Sequence, residues 1–157
     1  MKKLIIAFLV VVLLGCASSP RIVSYEDRII QKIIEVEKPK DVLFSLSMDW
    51  IAKNFNSAKA VIEYQDMTTG RIVGKAVMPV KYGMGVPMNT HFTLTIEVKD
   101  NKVRASVEDA YVVVSVAGHS SQQILDNEFT INECLRPAAE KMFSNLEAAL
   151  SSKSSNW

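Results

Sequence analysis

From His91 to Lys99 every second residue is apolar: Phe92, Leu94, Ile96 and Val98 alternate with His91, Thr93, Thr95, Glu97 and Lys99. A period of two sends alternate side chains to opposite faces, so this stretch is a strand with one face to bury. Asp100-Asn101 follows, a pair that accepts the positive φ of a two-residue hairpin turn, and a return strand begins at Lys102. So short a loop sets the register. Val98 should face Val103, Ile96 should face Ala105 and Leu94 should face Val107, all on one side. On the other side Glu97 should face Arg104, an opposite-charge pair contributing about 0.2–1 kcal/mol. A hairpin with one apolar face folds only against something that covers that face.

The covering layer is legible elsewhere. After the punctuation Lys38-Pro39-Lys40-Asp41, in which Asp41 can cap, a helix is expected to about Asn54, with Leu43, Leu46 and Trp50 on one side and Phe44, Ile51 and Phe55 beside them. A final helix carries the stripe Leu135, Ala138, Ala139, Met142, Phe143, Leu146 and Leu150. Its start is open between Thr130, where Thr130-Ile131-Asn132-Glu133 has capping-box spacing, and Leu135, because Pro137 kinks a helix that begins earlier. Strands are expected at Arg28–Val36, Ala58–Tyr64 and Arg71–Val80, the last ending near Pro79, which cannot donate to a ladder. The return strand of the hairpin runs to about Val116, Gly118–Asn127 is a polar connection, and residues 151–157 are a loose tail. The order β-α-β-β-β-β-α gives an α+β two-layer sandwich over residues 28–150: an antiparallel, five-stranded curved sheet with two helices on one face.

The N-terminus has a different logic. Lys2 and Lys3 precede an apolar run from Leu4 to Leu14, followed by Gly15 and Cys16. The run is short for a permanent span, which needs about 20 residues, and has the layout of a secretory signal. Leu13-Leu14-Gly15-Cys16 resembles the bacterial lipobox. That resemblance implies a signal peptide over residues 1–15, cleavage after Gly15, and lipidation of Cys16. Acyl chains on Cys16 then make the membrane a partner. Residues 16–27 read as a tether, whose eleven residues after Cys16 reach at most about 40 Å. Ala17, in place of an aspartate after the cysteine, suggests the outer membrane, facing the periplasm.

The chain carries 18 basic and 17 acidic residues, and removal of Lys2 and Lys3 leaves a mature net charge of −1. Nothing resembles the basic patch that nucleic acid requires. Cys134 is the one thiol besides Cys16, so no disulfide within the mature chain is expected, and the residue reads as a small hydrophobe on a helix flank.

Three blocks carry a family resemblance: Trp50-Ile51-Ala52-Lys53-Asn54-Phe55-Asn56-Ser57-Ala58-Lys59-Ala60-Val61-Ile62; then Asp66, Gly70, Ile72, Gly74 and Lys75; then the alternating strand Phe92 to Val98 closing on Lys99-Asp100 and Lys102-Val103-Arg104. Together they resemble a family of bacterial envelope proteins, a domain of unknown function with a TATA-box-binding-protein-like fold, over roughly Ile29 to Val116. The resemblance implies a curved antiparallel sheet with helices on one face. It implies no activity, and the fold does not imply DNA.

Catalytic patterns are hard to find. His91 and His119 lack zinc spacing. Gly118-His119-Ser120-Ser121 lacks the nucleophile elbow, although Ser120 and His119 leave a serine hydrolase as a remote alternative. Gly83-Met84-Gly85 lacks the Walker spacing, and Asp66, Glu108, Asp109 and Asp126 form no acid pair or calcium loop. No cofactor, no metal and no enzymatic activity are expected. The leading expectation is a non-enzymatic envelope interaction module with a protein partner. Its contact surfaces would be the Lys81–Asn89 loop, displaying Tyr82, Met84, Val86 and Met88, and the sheet face carrying Thr93, Thr95, Glu97, Arg104 and Ser106. The alternative is a small-ligand or lipid carrier using an apolar groove between helices and sheet.

Overall fold

The computed structural model describes residues 21–55 and 60–152. Cys16, the signal peptide, the first residues of the tether and the end of the tail lie outside the described residues. The elements are strand β1 (Ile30–Glu35), helix α1 (Lys40–Asn54), strands β2 (Ala60–Asp66), β3 (Arg71–Tyr82), β4 (Val86–Lys99), β5 (Lys102–Val116) and β6 (His119–Ile124), and helix α2 (Arg136–Ser151). All strand pairs are antiparallel, in the order β1-β5-β4-β3-β2, with β6 also on β5.

The β4–β5 hairpin has the expected register. Val98 pairs with Val103, Ile96 with Ala105, Leu94 with Val107 and Glu97 with Arg104. Asn101 takes φ 64° at the turn. The apolar rows of this hairpin join Ile30 and Ile34 of β1 and Ile72 and Ala76 of β3 to form one buried face. Leu43, Trp50 and Ile51 of α1 and Ala139, Phe143, Leu146 and Leu150 of α2 bury against it. The Trp50 indole donates from Nε1 to Asn145 Oδ1 at 2.7 Å and so ties the two helices together.

Four local differences from the sequence reading have physical causes. First, a sixth strand joins the expected five: β5 is long, β1 covers only its first half, and β6 fills the remaining edge. The turn into β6 is Ala117-Gly118, both at positive φ (51° and 82°). Every side chain of β6 is exposed, so no apolar alternation betrays the strand. Second, Lys81–Asn89 is not an open loop. A single 3-10 turn, Gly83–Gly85, joins β3 to β4, and Pro79 sits within β3 opposite Asn89. β2 pairs with β3 only as far as Ala76, so Pro79 lies where β3 has become an edge strand and its missing N–H is tolerated.

Third, the last helix solves the Pro137 problem with a π segment, Thr130–Leu135, whose Arg136 N–H bonds the Ile131 carbonyl five residues back. The cap comes from Asn127, which accepts the Thr130 N–H on its side chain at 2.8 Å, rather than from a box beginning at Thr130. Similarly, Asp41 makes no cap at α1; Asp100 accepts the Lys40 N–H instead, at 2.9 Å. Fourth, the segment read as tether joins the fold from Arg21. Ile22 bridges to Asn127, the Val23 N–H bonds Asp126 O, and Glu26–Arg28 form a 3-10 turn. Among the described residues no helix is long and apolar enough to cross a membrane.

Candidate functional site: the uncovered face of the sheet

Alternation leaves a face that the helices do not cover. Register aligns its residues in rows: Arg71, Glu97, Arg104 and Ile33 in one, Val73, Thr95, Ser106 and Gln31 in the next, then Lys75 opposite Thr93. Glu97 and Arg104 are ion-paired across the ladder. All five expected contact residues of the sheet therefore share this face. Their accessibility is uneven: Thr93, Thr95 and Ser106 are only 5–7% exposed, sunk between longer neighbours, while Arg104 stands out into solvent.

The expected contact loop lies elsewhere. Tyr82, Val86 and Met88 share the strand parity of buried Val80 and Phe92, which places them on the helix side of the sheet. The Tyr82 hydroxyl is bonded to Thr90 Oγ1 at 2.8 Å, and burial pushes its phenol up. Met88 packs against the core, and Val86 alone of the three is well exposed. The Met84 side chain lies outside the described residues. Tyr82, Val86 and Met88 thus do not combine with Thr93–Ser106 into one surface.

A cavity of about 530 Å³ opens on the uncovered face, on the His91 side of Thr93. Lys75, His91 and Thr93 contribute to its floor, and Gln122 and Ile124 of β6 wall one side. Its position depends on a bulge. Between the pairs His91–Tyr111 and Thr93–Glu108, β5 has one residue more than β4. Asp109, at φ 51°, absorbs the difference. Bulges re-aim side chains, and this one turns the Asp109 carboxylate inward, 3.4 Å from the hydroxyls of both Thr93 and Tyr25. That carboxylate raises the Tyr25 phenol, with a smaller push from desolvation.

Two further features shape the cavity. The His91 and Tyr111 rings stack face to face, their centroids 5.0 Å apart and their planes within 10° of parallel. Arg28, from the 3-10 turn, lies over the Tyr25 ring at 5.5 Å, and its Nε is buried without a hydrogen-bond partner. The Lys75 ammonium donates to Thr93 Oγ1 at 2.7 Å, and no carboxylate among the described residues lies within ion-pair distance of Lys75 or Arg28.

Other candidates lead nowhere comparable. Ser120 shares a hydrogen bond with Ser115 on exposed β6, and no hydrogen bond among the described residues links it to His119. No cluster of three metal-ligating side chains exists among the described residues. The groove between α1 and β2, near Phe44, Met48 and Met67, is shallow. The sequence reading placed His91 on a surface and passed over Arg28, Lys75, Asp109 and Tyr111 as site residues. The usable signal was Ala117-Gly118, a two-residue turn that brings Gln122 and Ile124 back alongside Tyr111.

A curved antiparallel sheet with two helices on one face and a hollow on the other defines a two-layer α+β domain with one uncovered face. The chain belongs to the family described as a domain of unknown function (DUF4468) with TBP-like fold, whose model matches residues 31–112. The fold is shared with two crystal structures. A TBP-like protein from Parabacteroides distasonis has a TM-score of 0.65 at 11% identity, over 80% of this chain and 94% of that one. A DUF4468 family protein from Bacteroides ovatus has a TM-score of 0.62 at 10% identity, over 87% of this chain and 94% of that one. No curated protein matches the sequence significantly.

Proposed function

We propose that the protein is a lipid-anchored, non-enzymatic binding module of the bacterial cell envelope, which presents the uncovered face of its sheet to a partner. The observation that carries this reading is the face itself: a sheet with one covered side and, on the other, a hollow where charged and aromatic side chains converge. The lipobox-like Leu13–Cys16 supports the anchor, with residues 1–15 as a cleaved signal peptide and acyl chains on Cys16. The tether is shorter than the sequence suggested. The chain is bonded to the fold from Arg21, so five residue steps separate it from Cys16, a reach of at most about 18 Å. Ile22 and Phe129, 74% and 63% exposed, flank this entry point. Ala17 favours the outer membrane, with the domain in the periplasm.

The test is photo-crosslinking in living cells with the anchor intact. A crosslinking residue in place of Ile33, on the uncovered face, should give a discrete adduct. The same residue in place of Ser144, on the outer side of α2, should not. Cys16→Ala should release the protein from the membrane fraction and lose the adduct. Equal adduct patterns at both positions would refute the assignment of the face.

A further inference from the structure

We infer that the cavity beside the β5 bulge binds a small amphiphile with a carboxylate head and a flat apolar body. The inference rests on the reading of the uncovered face as a binding surface and deepens it. Two cations reach the cavity, Arg28 and Lys75, against one carboxylate, Asp109. Neither cation has an ion-pair partner among the described residues, and Arg28 Nε is out of water with its hydrogen unbonded. The Nε atom itself is closed off, so a bound anion would meet the Arg28 guanidinium at its terminal nitrogens, on the side that lines the cavity. A guanidinium presents a planar fork that matches a carboxylate, and Lys75 has donors left beyond its bond to Thr93.

The body of the ligand is argued from the rest of the wall. The rings of His91 and Tyr111 line the cavity together with Ile124 and Val77, which supply apolar surface. A volume of about 530 Å³ suits a small molecule. Asp109 sits at the bulge, where it bonds the hydroxyls of Thr93 and Tyr25, and it offsets one of the two positive charges.

Calorimetry on the full mature protein, with its anchor embedded in lipid nanodiscs, tests this with three matched probes: biphenyl-4-carboxylate, its neutral carboxamide, and biphenyl-4-methylamine. The carboxylate should bind at least about tenfold more tightly than the amide, a difference of about 1.4 kcal/mol, and the amine should bind weakest. Arg28→Gln and Lys75→Met should each weaken carboxylate binding about tenfold or more and weaken amide binding much less. Arg28→Lys should retain part of the preference, and Lys53→Met, on α1, should change nothing. An unchanged urea midpoint certifies that each variant is folded. Equal binding of carboxylate and amide, preferred binding of the amine, or no binding of any probe would overturn the proposal. If the adduct at Ile33 persisted in those cases, the binding-face reading would survive and the ligand class alone would fall.

Discussion

Arg104 Nε donates to Glu97 Oε2 at 2.6 Å across the β4–β5 ladder, in the row that also holds Arg71 and Ile33. The pair is partly exposed, so solvent screens most of its Coulomb energy. A double-mutant cycle of Glu97→Ala and Arg104→Ala should give a coupling of no more than about 1 kcal/mol, shrinking as salt is added. Its role is register rather than strength. A large, salt-insensitive coupling would mean that the face is drier than described.

Gly70 is where the β2–β3 turn meets the end of β4. Its φ is 73°, its carbonyl accepts the Val98 N–H at 2.7 Å, and a Cβ there would stand 2.3 Å from the Val98 oxygen. Backbone cannot yield as a side chain does. Gly70→Ala should destabilise the domain by about 2–4 kcal/mol in urea unfolding, whereas Gly83→Ala, with open space around its Cβ, should cost well under half as much.

Asn145 stands on the outer flank of α2 and accepts the indole N–H of Trp50, a residue only 3% exposed. Asn145→Leu keeps the branched outline and removes the acceptor, so it should cost about 1–3 kcal/mol. Trp50→Phe in the Asn145→Leu background should show non-additivity, because the orphaned donor is then gone.

Cys134 is a buried thiol raised by desolvation, with Glu133 adding to the effect. Less thiolate forms at a given pH, and access is poor, so iodoacetamide at neutral pH should leave the folded protein unmodified and label it on unfolding. Asp66 behaves in the opposite sense. The Thr68 N–H, foremost, holds its carboxyl below the ordinary value. Its contribution is complete above the unfolded carboxylate pKa of about 3.9 and disappears as pH falls through the folded value. Asp66→Asn should therefore flatten the acid limb of the stability curve in that window.

How much of this could be read from residues alone follows from where burial imposes a pattern. The hairpin register from Leu94 to Val107 was legible because four apolar residues alternate about a turn that permits one pairing. Residues Leu135 to Leu150 were legible because a helical stripe must face a core. β6 was not, since His119 to Ile124 bury nothing and their strand conformation comes only from the free edge of β5. The cavity was illegible for a related reason. Arg28, Lys75, His91, Asp109 and Gln122 come from five separate segments, and the bulge that gathers them is a mismatch between two strands rather than a property of either. The loop expectation at Lys81–Asn89 failed because glycine and proline marked a tight turn and an edge position, not a long excursion.

We propose that the hollow on the uncovered face is the surface through which an anchored module binds. It is tested most directly by placing a photo-crosslinking residue at Gln122, on the exposed wall of the cavity, in cells that carry the lipidated protein. Intact-mass analysis should show one dominant adduct, diminished by Arg28→Gln and absent when the crosslinker replaces Ser144. A folded, membrane-bound protein with no adduct at Gln122, or with the same adducts at Ser144, would contradict the account.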